Sequence, residues 1–171
     1  MTAHTFTIPG KPAGWRIQYR AFVIGKKART LTRLSDNAEA WQKPAIVRLR
    51  MAWGSRAPLT GPLKVEVYAV FPRAKHHDCQ HTPHGNSPER KKPCSCPPEK
   101  LDGRALWHTS TSDYTNVKKL AEDALTKAGV IEDDRLTCVP GGLARYAARG
   151  EEPHVRIVVG PAPELETMEE M

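Results

Sequence analysis

The chain has 171 residues, of which 39% are apolar, and a net charge of +7. This length is enough for one domain with a buried core. No run of 18 or more apolar residues occurs, so we expect no membrane span. The first residues lack the charged-then-apolar layout of a signal peptide, and we therefore expect a cytoplasmic protein.

Charge is distributed unevenly along the chain. Residues 1–110 hold 19 Lys or Arg against 7 Asp or Glu, a net of +12, whereas residues 111–171 hold 7 against 12, a net of −5. A basic body attracts polyanions through counterion release, although a solvated basic surface is the simpler explanation. An acidic segment in a basic protein suits an enzyme that binds phosphate groups through cations and hydrolyses a phosphodiester with a metal held by carboxylates.

The N-terminal third begins with a short predicted strand, Thr5–Ile8, which a Pro-Gly pair closes. The basic residues 11–33 predict either a hairpin or a long loop, with Ala21–Ile24 and Thr30–Leu34 as candidate strands.

A helix is predicted next, over Asn37–Trp53. Asp36, with Glu39 three residues later, resembles a capping box at its start. Pro44 inside the helix predicts a kink or a late start. After the helix, Leu63–Phe71 alternates between apolar and polar residues and predicts a strand.

The clearest helix is Thr115–Ala128, because its apolar residues repeat at helical spacing and Gly129 follows as a C-terminal stop. Leu136–Val139 and His154–Val159 predict two more strands. The sequence therefore predicts one compact α/β (α+β) domain over residues 1–160, with a small mixed sheet and two main helices. An acidic, frayed tail over residues 161–171 should follow.

Residues 72–112 break every pattern and predict an irregular insertion rich in Cys and His. In a cytosolic protein, such a cluster favours metal over disulfides. A structural zinc would order this loop, whereas the alternative is a flexible basic loop with free thiols. The candidate ligands are Cys79, Cys94 and Cys96 with His81, for which His84 is the alternative. The remaining Cys138 lies on a predicted strand, where we expect a small buried core residue.

Carboxylates flank the second helix. Asp113 precedes this helix, which at 13 or so residues is roughly 19 Å long. If Gly129 reverses the chain, an extended return of about 20 Å at most can bring Asp133 and Asp134 back beside Asp113. Such a cluster suits Mg²⁺, which prefers hard oxygen ligands, can activate water and stabilises charge on phosphate.

A polar edge runs along the same helix, formed by Asn116, Lys119 and Asp123. From there Lys119 could hold a scissile phosphate as a point charge. The alternatives are structural: a helix cap from Asp113 or Thr115, a polar turn at the Asp pair, and a surface ion pair between Lys119 and Asp123.

The whole acidic segment carries a recognisable pattern. The chain reads Ser112-Asp113-Tyr114-Thr115-Asn116, then Lys119, Asp123-Ala124-Leu125 and Asp133-Asp134. This segment resembles the RusA endodeoxyribonuclease family, whose pattern is Pro-Asp-x-Asp-Asn, Lys three residues on, Asp-Ala-Leu, and Asp-Asp ahead of a strand. The opening Ile8-Pro9-Gly10-Lys11-Pro12 also resembles that of phage-borne members, which would place the protein in the host cytoplasm.

The resemblance implies a magnesium-dependent endonuclease, with Mn²⁺ as a substitute metal. It implies a homodimer that binds branched DNA, a four-way Holliday junction, and nicks two strands symmetrically. It assigns catalysis to Asp113, Lys119 and Asp134 with Asp133 in support, and it assigns the metal to the three carboxylates.

One position departs from the family pattern. Thr115 stands where the pattern has its second Asp, and Ser112 replaces the Pro. Thr115 could ligate through its hydroxyl, hold a water or only cap the helix, with Asp123 or Glu132 as compensating charge. The alternative function is therefore a catalytically weak junction-binding relative, and a third is a zinc-bearing interaction module without a DNA role. We regard Thr115, Asn116 and Asp123 as supporting residues.

DNA binding is assigned to the basic N-terminal segment and to one lysine of the second helix. The predicted DNA contacts are Arg16, Arg20, Lys26, Lys27, Arg29 and Lys118.

The zinc hypothesis gives a first prediction. Protein purified without chelator should contain one zinc per chain by metal analysis. Replacing Cys94 and Cys96 with Ser should release it, because thiolates are the stronger ligands of the set. Order should then be lost mainly in residues 72–112. Protein without zinc would contradict the hypothesis.

Overall fold

The computed structural model describes residues 2–24, 27–72, 106–107, 114–148 and 150–164. Within them, seven strands and two α-helices follow in chain order: β1 His4–Pro9, β2 Ile17–Ile24, β3 Lys27–Leu34, α1 Asp36–Trp53, β4 Leu63–Phe71, β5 Leu106–Trp107, α2 Tyr114–Ala128, β6 Thr137–Tyr146 and β7 His154–Pro161. A single 3₁₀ turn, Asp134–Leu136, lies between α2 and β6. Neither of these helices combines the length and the apolar character that crossing a membrane requires.

The described strands form two sheets. The larger one has the order β1-β7-β4-β6-β5, in which β4 and β6 are parallel and the other neighbours are antiparallel. The smaller one is the β2-β3 hairpin. The predicted α+β fold with a mixed sheet is confirmed, and of the two alternatives for the basic segment the hairpin is correct.

Local signals explain where α1 begins and ends. Ser35 is the N-cap, and its hydroxyl accepts a hydrogen bond from the Ala38 N–H at 3.4 Å. The helix ends at Gly54, whose φ of +67° an L side chain rarely adopts. The expected late start is wrong, because α1 begins at Asp36 and continues through Pro44.

The second helix follows its sequence pattern closely. Its apolar stripe is buried, and Gly129 ends it with a φ of +74°. The Val130 N–H donates to the Leu125 carbonyl at 3.0 Å, which satisfies one of the carbonyl groups that a helix end leaves free.

Both helices contribute to one core with the larger sheet. Leu49 of α1, Leu120 of α2 and Val65 and Ile157 of the sheet are fully or almost fully buried in it. Two polar contacts join the helices to each other. The Arg50 guanidinium donates to the Lys127 carbonyl at 2.7 Å, and the Lys127 ammonium donates to the Gln42 side-chain oxygen at 2.9 Å.

A tyrosine anchors the start of α2 on the parallel strand pair. The Tyr114 hydroxyl lies 2.9 Å from the Val67 carbonyl oxygen of β4 and 2.6 Å from that of Gly141 in β6. Burial raises the pKa of Tyr114 to about 12, and the negative charge of Glu122 adds to the rise. The hydroxyl therefore remains a donor at neutral pH and holds the helix across both strands.

The structure contradicts one further expectation from the sequence, and two others concern residues that it mostly does not describe. Cys138 is exposed, so its predicted burial is wrong: it occupies an outward position in the alternating pattern of β6. Nearly all of the insertion, with its proposed zinc ligands, lies outside the described residues. So does the tail beyond residue 164, although β7 extends to Pro161 and the Ala162 N–H donates to the Pro62 carbonyl at 2.9 Å.

The parallel strand pair leaves no room for a side chain at Gly142. A Cβ there would lie 1.9 Å from the Val67 carbonyl oxygen and 2.6 Å from the Tyr114 hydroxyl, at a φ of +113°. We expect Gly142→Ala to lower the free energy of unfolding by about 3 kcal/mol or more, measured by urea denaturation. Gly10→Ala is the control, since its φ of +102° is similar but its Cβ meets nothing within 4 Å. It should lose about 1–2 kcal/mol, and equal losses would contradict the steric explanation.

Candidate active site

The chain after α2 returns along the helix on a fixed path. The Leu59 N–H donates to the Val130 carbonyl at 2.8 Å, and the Glu132 N–H donates to the Leu59 carbonyl at 3.1 Å. Leu59 and Ile131 form an isolated parallel bridge, and Ile131 is buried. This pairing lies just ahead of β4. It positions Asp133 and Asp134 at the end of the sheet where β6 begins.

Asp133 is engaged by its neighbour Arg135. Its carboxylate accepts hydrogen bonds from the Arg135 backbone N–H at 2.9 Å and from the guanidinium at 2.6 Å. These bonds hold the pKa of the Asp133 carboxyl far below its usual range. Asp133 also caps the 3₁₀ turn. Asp133 therefore stays ionised at neutral pH, and both of its carboxylate oxygens accept hydrogen bonds from the Arg135 guanidinium.

Asp134 begins the 3₁₀ turn that packs against α2, and its charge acts on Asp123 of that helix. Burial raises the pKa of the Asp123 carboxyl, and the negative charge of Asp134 raises it further. Lys127, Lys119 and a hydrogen bond from the Trp15 side chain act in the opposite direction. Asp134 itself is exposed. The two carboxylates repel each other at a surface that solvent and ligands can reach.

Trp15 connects this pair to Lys119. The Lys119 ammonium lies 4.0 Å from the centroid of the Trp15 ring, which is a cation–π contact. The Trp15 backbone N–H donates to the Asn116 carbonyl at 2.8 Å, one turn earlier on α2. Trp15 therefore fixes where the Lys119 charge points, and that charge acts to lower the pKa of the Asp123 carboxyl. Nothing in the sequence pattern singled Trp15 out, because its contacts are with residues 100 positions away.

Comparison with known families decides what this site belongs to. Residues 9–160 match a family described as Endodeoxyribonuclease RusA. The chain belongs to the RusA endodeoxyribonuclease family. The match includes all of α1, α2 and the Asp pair, and the resemblance inferred from the motif is confirmed. No individual curated protein matched the chain.

The remaining motif residues of this RusA-family chain are placed as follows. Asp113 lies outside the described residues, so its convergence with Asp134 stays a prediction. Thr115 is exposed in the first turn of α2, and Asn116 is half-buried. Lys118, predicted to contact DNA, pairs with Glu122 at 2.8 Å and has an 18% exposed side chain. The Lys118 charge thus stabilises an ion pair within α2, which is an alternative to its predicted contact with DNA.

The predicted DNA contacts of the N-terminal segment are only partly visible. Arg16 is described and exposed. Arg20, Lys27 and Arg29 belong to the hairpin strands, whose side chains at these positions lie outside the described structure, as does all of Lys26. Their role in binding stays a prediction.

The acidic residues can be tested for their fit to Mg²⁺. Asp123 and Asp134 offer hard oxygen ligands, and their mutual repulsion is what a bound cation would relieve. Over the described residues alone, no group of three or more Asp, Glu, His or Cys side chains could hold a metal. The third carboxylate predicted from the sequence is Asp113, which the sequence places directly before α2. These carboxylate oxygens are the kind of ligand that magnesium prefers.

Two substitutions of Trp15 separate its two contacts. Trp15→Phe keeps an aromatic face under Lys119 and removes only the N–H that serves Asp123, whereas Trp15→Leu removes both. We expect Trp15→Leu to slow single-turnover cleavage of branched DNA roughly two- to fivefold relative to Trp15→Phe, the equivalent of about 0.5–1 kcal/mol for an exposed cation–π contact. Equal rates for the two variants would show that the ring does not position Lys119.

Proposed function

We propose that this chain is a magnesium-dependent Holliday-junction endonuclease that nicks two opposed strands as a homodimer. The observation that supports this most is the meeting of Asp134, Asp123 and Lys119 beside Trp15 in a member of the RusA family. Carboxylates that can hold a cation and a free lysine that can hold a phosphate are the two parts that phosphodiester hydrolysis needs.

The carboxylates contribute negative charge at one exposed edge. Asp134 and Asp113 would hold the metal, and Asp123, whose carboxyl feels the charge of Asp134, would add negative charge to the site. Asp133 would support them from its ion pair with Arg135. Magnesium, when bound, supplies the positive charge that favours ionisation of water and stabilises a pentavalent phosphate.

Lys119 acts on the substrate directly. Its ammonium rests on the Trp15 ring, and no ion pair with a described carboxylate occupies it. A ring face orients the ammonium and leaves its N–H donors available. It can therefore donate to a non-bridging oxygen of the scissile phosphate and balance the charge that develops there.

A second candidate function differs only at the chemical step. Thr115 occupies the first turn of α2, where the family pattern has Asp, and the chain could bind junctions while cutting them slowly. Cleavage of synthetic four-way junctions by the unmodified chain separates the two candidates. Under this second function, Thr115→Asp should raise the cleavage rate by restoring a ligand.

The central test of the proposed function is Asp134→Asn. The amide keeps the side-chain shape but lacks the negative charge, so magnesium-dependent cleavage should fall by about two orders of magnitude or more. Binding to the junction without metal should survive or tighten, because a negative charge facing phosphates is gone. The two readouts are single-turnover cleavage and electrophoretic mobility shift.

Glu152→Gln is the matched control, since Glu152 is an exposed carboxylate ahead of β7 and not part of the Asp134 site. It should cleave like the unmodified chain. Cleavage by Asp134→Asn at the unmodified rate would show that the Asp pair only forms a turn.

The dimer has its own test. Two symmetric nicks need two active sites related by a two-fold axis, and two-fold interfaces are the most common in oligomers. Sedimentation at micromolar concentration should give twice the 19.0 kDa chain mass. A monomer under these conditions, with or without junction DNA, would contradict paired nicking.

A further inference from the structure

A groove of about 690 Å³ runs beside the candidate active site. One wall is residues 8–16, the end of β1 and the connection to β2. The other wall is a single stripe of α1 at helical spacing, and Asn116 of α2 closes one end. We call this the N-terminal groove. The α1 stripe consists of Asn37, Ala40, Trp41, Pro44 and Arg48.

The charge that the described residues give the N-terminal groove is positive. Lys11, Arg16 and Arg48 line it, and none of the described lining residues is acidic. All three cations are exposed, and none has an ion-pair partner within the part of the chain that the structure describes. A concave surface with one sign of charge concentrates the electrostatic field and attracts anions.

The acidic residues nearest to it on α1 do not cancel this charge. Asp36 pairs with Arg33, and Glu39 pairs with Lys43 at 2.7 Å. Ser35 and Asn37 also line the groove, at the helix N-terminus, where the peptide dipoles add partial positive charge.

Two indole rings line the groove beside these cations, those of Trp15 and Trp41. Side chains of this type complement the sugars and bases of a nucleic acid strand as well as its phosphates.

The groove and the active site share two residues. Trp15 and Asn116 line the groove, while Lys119 rests on Trp15 one turn further along α2. From Asn37 to Arg48 the α1 wall extends about 16 Å. This is the axial length of about four to five nucleotides at roughly 3.4 Å each.

From this placement we infer that the N-terminal groove binds the backbone of the DNA strand next to the scissile phosphate, with Lys11, Arg16 and Arg48 as phosphate contacts. The inference rests on the proposed function, because it takes the reacting phosphate to lie at Lys119. It adds Arg48 of α1 and Lys11 to the predicted DNA contacts, which already include Arg16.

The test replaces two groove cations that lie on opposite walls. Lys11→Gln combined with Arg48→Gln removes two exposed charges without disturbing the core. Lys43→Gln is the control, since it removes an exposed cation from the same helix outside the groove. Affinity for a synthetic four-way junction is measured without metal over a series of salt concentrations.

The double variant should lower the slope of log affinity against log salt by about 3.6, because the proposed homodimer loses four phosphate contacts and each changes the slope by about 0.9. Lys43→Gln should leave the slope unchanged. Thermal melting of the double variant should match that of the unmodified chain.

The outcomes distinguish the two proposals. An unmodified chain that cleaves junctions, together with a double variant whose salt slope is unchanged, overturns the groove and leaves the proposed function standing. An unmodified chain that neither binds nor cuts junctions overturns both.

Discussion

The parallel pairing of β4 with β6 is the constraint on which the site depends. Parallel strands cannot be joined by a tight turn, so the chain must cross over between them, and α2 lies in that crossover. Tyr114 fixes one end of α2 on both strands, and the Leu59–Ile131 bridge fixes the return. The backbone fold alone therefore places the Asp pair at the start of β6, where the 3₁₀ turn packs against α2.

Trp15 brings the remaining parts together. It belongs to the connection after β1, yet its backbone bonds to α2, its ring supports Lys119 and its N–H serves Asp123. Since β1 pairs with β7 at the edge of the larger sheet, this connection is held at both ends: by the sheet on one side and by the Ser35 N–H bond to the Arg16 carbonyl on the other. The active site and the N-terminal groove therefore share one rigid wall, and a strand bound in the groove is aligned with Lys119.

Local patterns predicted most of the elements. The alternation in Leu63–Phe71 and the apolar stripe that ends at Gly129 gave the bounds of β4 and α2 to within one residue, because both patterns reflect burial on one face. The bounds predicted for α1 also agree with the structure to within one residue, although the helix continues through Pro44 without the late start that this proline suggested. Trp15 and Arg48 could not be found in this way. Their importance comes from the contact between the β1 connection and the helices, and such long-range contacts leave no periodic signal.

In our proposal, Asp134 holds the catalytic metal ion. The most direct test is anomalous scattering from a crystal soaked in Mn²⁺, which prefers the same oxygen ligands as Mg²⁺. We predict a peak about 2.1 Å from a carboxylate oxygen of Asp134, on the side of α2 that carries Asp123 and Lys119. A manganese peak elsewhere, with the Asp134 carboxylate outside its coordination shell, would contradict it.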